Sequence, residues 1–143
     1  MTKWAVKLSA DELNRLLGVA FGGPSDLGLV KHVEPGLIRL MRPYGPGMLR
    51  PGNLIAGPVL MSLADTAAYT LVMAHIGPEL MAVTSSLTIH FLCGAKPGDI
   101  EIEGRLLSLG RRNVVCDVRL WTESPERIAA HATVTYARPL THR

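Results

Sequence analysis

The chain has 143 residues, 48% of them hydrophobic and 19% charged, enough for one domain around a single sizeable core and too apolar for a disordered chain. Its net charge of +3 is mild. The basic residues are scattered, which argues against a nucleic-acid stripe while leaving room for a basic rim around a phosphorylated ligand. Met1-Thr2-Lys3-Trp4 lacks the apolar core of a secretory signal, and Cys93 and Cys116 show no metal-ligand spacing. A reduced, cytoplasmic protein with buried thiols is therefore expected.

Ser9-Ala10-Asp11-Glu12 has the form of a capping box and predicts a short helix through about Ala20, with Leu13, Leu16, Leu17 and Ala20 on one face. Phe21-Gly22-Gly23-Pro24 ends it. Residues 27–33 and 37–42 read as two strands joined by the turn Glu34-Pro35-Gly36. A Gly- and Pro-rich loop from Pro43 to Gly52 runs directly into a long apolar stretch.

That stretch spans Gly57 to Gly77. Pro58 suits a helix start and Gly77-Pro78 a helix stop. A helix that is apolar on every face is a buried one, and this one is short for a membrane span. Its only full charge at neutral pH is Asp65, too deep in the helix to serve as a cap. A lone carboxylate there costs several kcal/mol unless it is paired, hydrogen-bonded or facing a cleft. Two readings follow: a structural one, with Asp65 bonded to an Arg or to hydroxyls such as Ser62, and a functional one, with Asp65 as base or nucleophile.

Four strands should follow the helix. Residues 82–92 alternate Val83, Leu87, Ile89 and Phe91 against Thr84, Ser86, Thr88 and His90. Residues 100–109 place Ile100, Ile102 and Leu106 opposite Glu101, Glu103 and Arg105. Residues 114–122 place Val114, Cys116, Val118 and Leu120 opposite Asp117, Arg119 and Trp121, and residues 128–137 line up Ile128, Ala130, Ala132, Val134 and Tyr136. Short connections predict antiparallel neighbours. A curved antiparallel sheet around the apolar helix is the economical α+β arrangement, and apolar surface left uncovered points to a second copy. His32, His75, His131 and His142 have no spacing that suggests a metal site.

Three stretches together resemble the hotdog fold and, within it, the PaaI-like acyl-CoA thioesterases. They are Gly57 to Asp65 ending in Leu63-Ala64-Asp65, the strand from Val83 to Leu92, and Lys96-Pro97-Gly98-Asp99 through Gly110-Arg111-Arg112. The resemblance covers about residues 27–138 of a single hotdog domain spanning 1–143, with residues 1–22 as an N-terminal helical segment preceding the core. It implies an acyl-CoA thioester hydrolase with no cofactor beyond the coenzyme A of the substrate, working as a homodimer or dimer of dimers. Asp65 matches the family's catalytic carboxylate, contributed across the dimer interface as base or nucleophile. Gly57 matches the oxyanion donor at the start of the helix, and Thr84 a polar helper on the following strand that orients a water.

This chain departs from the family pattern at several positions. The motif histidine is Ala56 and its second glycine is Pro58, which has no N–H to donate. Arg50 stands where an Asn often precedes the motif, with Asn53 nearby as a substitute. Arg111 and Arg112 either meet the phosphates of coenzyme A or form a solvated turn. Tyr69 either borders the acyl pocket or fills the core. The reduced motif leaves a second reading open, a non-catalytic protein that binds acyl-CoA or a related acyl ligand. A hydratase is disfavoured, because no His sits near the start of the helix.

Overall fold

The computed structural model describes residues 4–22 and 26–139. Helix α1 (Ala10–Phe21) begins with the expected capping box: the Ser9 hydroxyl accepts from the Glu12 N–H, and the Glu12 carboxylate accepts from the Ser9 N–H. It ends at Gly22, whose φ of 72° suits glycine. Leu13 and Leu17 are buried and Leu16 packs at the edge of the core, but Ala20 is exposed. Asn14 fastens α1 to the sheet edge, bonding both the N–H and the carbonyl of Val30.

Strands β1 (Leu29–Glu34) and β2 (Leu37–Arg42) form a hairpin. The following loop is less irregular than its composition suggests. It contains a 3-10 turn at Pro46–Met48 and a tiny ladder of β3 (Leu49–Arg50) against β4 (Leu54–Ile55). Two-residue strands carry no readable periodicity.

Helix α2 (Gly57–Ile76) starts one residue earlier than Pro58 implies, with Ala56 at the cap and Pro58 second. It is long and apolar enough to cross a bilayer, yet most of it is buried within the fold. Strands β5 (Val83–Phe91), β6 (Ile100–Leu109), β7 (Asn113–Trp121) and β8 (Ala130–Ala137) complete a six-stranded antiparallel sheet in the order β1-β2-β6-β7-β8-β5. The inner rows of β6 to β8 are those the alternation predicts: Ile100, Ile102 and Leu106; Val114, Cys116, Val118 and Leu120; Ala130, Ala132, Val134 and Tyr136. Strand β8 starts at Ala130, leaving Ile128 in the preceding loop.

One expectation fails. Strand β5 is not a neighbour of β6: it pairs with β8 and forms the free edge of the sheet. Segment 92–99 carries the chain across, bonded to the Ala129 carbonyl at Leu92 and to the Ile55 N–H at Ala95. Strand β2 takes the outer edge of β6, and the meander β6-β7-β8 satisfies its own ladders, so only the outer edge of β8 is left for β5.

Helix α2 lies close against the sheet. At Gly104 of β6 a Cβ would stand 3.1 Å from Ile38 Cγ2 and 3.5 Å from Leu71 Cδ2. Gly104→Val is expected to destabilise the protein by about 1–3 kcal/mol through overpacking, read as a lowered midpoint in urea unfolding.

His75, buried near the C-terminus of α2, ties the helix to the β1–β2 turn. Its Nε2 accepts the Gly36 N–H at 2.9 Å, so Nδ1 carries the proton donated to the Leu71 carbonyl at 2.9 Å. Burial lowers its pKa, opposed by the bond to Leu71. The folded state therefore holds His75 neutral, while the unfolded chain takes up a proton below about pH 6.5. Stability from this group is complete above that pH and falls as the pH drops toward the lowered folded value. Thermal midpoints measured from pH 5 to 8 should fall on the acid side, and His75→Gln should remove that component of the slope.

Candidate active site

Two clefts open along the part of α2 that the sheet leaves uncovered. Pro58, Met61 and Ser62 are exposed and Asp65 is half-buried, a stripe at helical spacing that ends on the carboxylate.

Asp65 lies in the first cleft, of about 470 Å³, which is lined also by Phe21, Tyr69, Leu80, Val83, Thr84 and Tyr136. No cation pairs with it among the described residues, so the Arg partner of the structural reading is missing, and Ser62 bonds instead to the Val59 carbonyl. Two hydroxyls take that place. Thr84 Oγ1 donates to Asp65 Oδ1 at 2.7 Å and the Tyr136 hydroxyl donates to the same oxygen at 2.6 Å. Among the described residues Oδ2 has no hydrogen-bond partner.

The pairing of β5 explains how Thr84 reaches the helix. Simple alternation sets Thr84 on the face opposite Leu87. A bulge at Ser85 shifts the register between Thr84 and Ser86, so that Thr84 lies opposite Tyr136 and Leu87 opposite Val134. Tyr136 and Val134 belong to the inner row. The extra residue therefore turns Thr84 inward and sends Val83 outward, where it is 58% exposed.

Behind Asp65 the cleft wall is aromatic. Tyr69 stacks on Tyr136 with ring centroids 5.7 Å apart, and Phe21 meets Tyr69 edge-on at 6.0 Å. The Tyr69 hydroxyl donates to the Leu80 carbonyl at 2.7 Å, which turns the ring into a fixed wall. Burial raises the pKa of both phenols, and the bond to Asp65 adds to the effect on Tyr136, so both remain protonated donors.

The second cleft, of about 440 Å³, lies at the N-terminus of α2 between Arg50, Leu54, Gly57, Phe91, Cys93 and Gly94. The Ala56 carbonyl accepts from both Val59 and Leu60, and Pro58 has no N–H. Among the described residues the Gly57 N–H has no partner, so it is the donor left open at this helix end. The Phe91 ring lies over Gly57, where a Cβ would stand 3.3 Å from its Cζ.

Comparison with known proteins fits this arrangement. Residues 52–129, more than half of the chain, match the model of the thioesterase superfamily. The chain belongs to that superfamily. A "putative thioesterase" from Silicibacter sp. TM1040 superposes with a TM-score of 0.87 at 31% identity, covering 96% of both chains. A "putative esterase" from Saccharolobus solfataricus is 29% identical over 111 residues, 78% of this chain and 67% of that protein. A phenylacetic acid degradation-related protein from Ralstonia eutropha JMP134 shares the fold, with a TM-score of 0.72 at 22% identity over 87% of this chain and 99% of that one. The sheet wrapped around α2 is the hotdog fold, and the chain is a thioesterase-family hydrolase.

Within this superfamily member the remaining predicted site residues fall as follows. Tyr69 borders the Asp65 cleft. Ala56 and Pro58 flank Gly57 at the other cleft. Asn53 is exposed in the β3–β4 turn at φ 59°, while Arg50 lines the second cleft. Arg111 and Arg112 are exposed in the β6–β7 turn and line neither cleft, although Arg138 ties this turn to the end of β8, beside Val83. Cys93 and Cys116 are free thiols. Cys93 is only half-buried, and burial pushes Cys116 up to about 12. Among the described residues no three His, Cys, Asp or Glu side chains converge on a point that could hold a metal.

The residue missed in the sequence is Tyr136. Its signal was a hydroxyl at the end of the apolar row Ala130, Ala132 and Val134, because a buried Tyr needs a hydrogen-bond partner.

Proposed function

We propose that the protein is a cytoplasmic, PaaI-like thioesterase that hydrolyses acyl-CoA, with each site shared between two copies of the chain. The observation that carries this reading is the Asp65 carboxylate, held by hydroxyls and not by a cation, at the mouth of a largely apolar cleft. Such a carboxylate can activate a water or attack the thioester carbonyl directly. The acyl group would lie against Tyr69 and its aromatic neighbours. Thr84 spends its one proton on Asp65, leaving its lone pairs to accept from a water. Gly57 would supply an N–H to the developing oxyanion, aided by the helix dipole. Arg111 and Arg112 would meet the phosphates of coenzyme A, with Asn53 and the Ala56–Pro58 turn shaping the approach.

Distances along the chain support a shared site. Asp65 lies eight residues beyond Gly57 on one helix, about 12 Å along its axis, too far for one thioester carbon to meet both. Thr84 and Phe91, which mark the two clefts, stand at opposite ends of β5, roughly 23 Å apart. Strand β5 is an unpaired edge flanked by exposed Met61, Met81, Val83, Phe91 and Leu92. Antiparallel pairing of β5 with its own copy about a two-fold axis near Leu87 would bring the Thr84 end of one chain to the Phe91 end of the other. Asp65 of each protomer then faces Gly57 of its partner, and the apolar edge is covered.

A second reading, an acyl-CoA binding protein without turnover, draws on Ala56 and Pro58, which leave the helix N-terminus with one donor and no imidazole. Thiol release from acetyl-, hexanoyl-, palmitoyl- and phenylacetyl-CoA separates the two. Hydrolysis of one class by the wild type, falling by about 10²–10⁴-fold in Asp65→Asn, supports the enzyme. Tight binding with no thiol released by either protein supports the binder.

The shared site has its own test. Asp65→Asn and Gly57→Pro, which removes the N–H at a first helical position that accepts proline, should each be inactive alone. Refolded together in equal amounts, they should recover about a quarter of wild-type activity, because half of the dimers are mixed and each mixed dimer holds one intact site of two. No recovery, with mixed dimers demonstrated by mass spectrometry, would place the whole site within one chain.

A further inference from the structure

We propose that Tyr136 is a positioning residue for the reaction, which with Thr84 locks Asp65 Oδ1 and leaves Oδ2 as the oxygen that acts. This inference rests on the thioesterase reading above. Tyr136 is 4% exposed and lies on β8, far from Asp65 in sequence, yet its hydroxyl stands 2.6 Å from Oδ1 and 3.3 Å from the Asp65 carbonyl. A phenol has one proton, and the shorter bond, to the charged acceptor, holds it. Thr84 sits directly across the ladder from Tyr136 and donates to the same oxygen.

The convergence is specific. The two hydroxyls come from paired strands, and the Ser85 bulge is what brings Thr84 opposite Tyr136. The Tyr136 ring is itself held by the Tyr69 stack. A carboxylate with two donors on one oxygen loses its two-fold freedom about the terminal torsion. One oxygen becomes a fixed anchor and the other a fixed reagent, which is how a supporting group preorganises a reacting one. The Tyr136 hydroxyl gives its one proton to the carboxylate, so it acts through Asp65.

Tyr136→Phe removes the hydroxyl and keeps the ring stacked on Tyr69. With the hydrolysed acyl-CoA as substrate, kcat should fall by about 10- to 100-fold, the scale of one hydrogen bond to a charged group, while KM stays within about two-fold. In an Asp65→Asn background the same change should lower the residual rate no further, since the group it positions is already disabled. Wild-type kcat in Tyr136→Phe, or an equal fall in the Asp65→Asn background, would overturn the assignment. A crystal structure of Tyr136→Phe gives a readout independent of turnover. In that variant the Asp65 carboxylate should rotate or occupy two orientations, and an unchanged single orientation would overturn the assignment. If the wild type released no thiol from any acyl-CoA, the functional reading would fail, and the structural arm would still decide whether Tyr136 sets the carboxylate.

Discussion

The structure turns on one ionised side chain placed on a helix otherwise committed to the core. The faces of α2 that meet the sheet carry Leu63, Ala64, Ala67, Leu71, Val72 and Ala74, all fully buried, and leave no room for a charge. Asp65 is tolerated because it falls on the narrow stripe the sheet does not cover and because two hydroxyls reach it there. Half-burial strips part of the carboxylate's hydration, at a cost. Bonds to neutral donors offset that cost without neutralising the group. A buried Arg would have offset it as well, but would have tied up the carboxylate in an ion pair.

This placement sets demands on the sheet. Thr84 has to face inward at the very edge where β5 otherwise follows simple alternation, and the Ser85 bulge reverses the alternation over one residue. The same reversal puts Val83 outside, which adds an apolar side chain to the free edge. The device that completes the carboxylate's surroundings therefore also makes the edge adhesive. In the proposed dimer, the geometry of the carboxylate and self-association would be linked through a single inserted residue.

Much of this was legible in the sequence, and the parts that were not share a cause. The capping box at Ser9 and Glu12, the rows of β6 to β8 and the isolation of Asp65 are local patterns, set by neighbours within a few positions. The strand order, the bulge and Tyr136 are not local. Placing β5 beside β8 and not β6 depends on which ladder edges remain free after the meander closes. A bulge changes the period at one point, and within Val83 to Phe91 either phase places polar and apolar residues plausibly on each face. The row ending in Tyr136 reads as core in sequence, since the acceptor for its hydroxyl lies 71 residues away. The family resemblance named Asp65, Gly57 and Thr84 as candidates. Its implication of a carboxylate contributed across the dimer interface also agrees with Asp65 and Gly57 lying at separate clefts of one chain.

That separation bears on the departures at Ala56 and Pro58. A helix N-terminus offers several unbonded N–H groups, but here the Ala56 carbonyl accepts from two of the following amides and Pro58 removes another, so among the described residues the free donor is Gly57. A single N–H with the helix dipole behind it is a weak oxyanion site in water and a stronger one where water is excluded. The Phe91 ring already covers one side of Gly57. A second copy paired along β5 would cover the other with the aromatic and aliphatic wall of its own Asp65 cleft. A reduced donor set then places more of the work on exclusion of solvent, and in the proposed dimer that exclusion would come from the neighbouring chain. On the shared-site proposal, Ala56 and Pro58 in place of the histidine and the second glycine would make the β5 edge more important to the chemistry, because the one remaining donor would depend on what that edge binds.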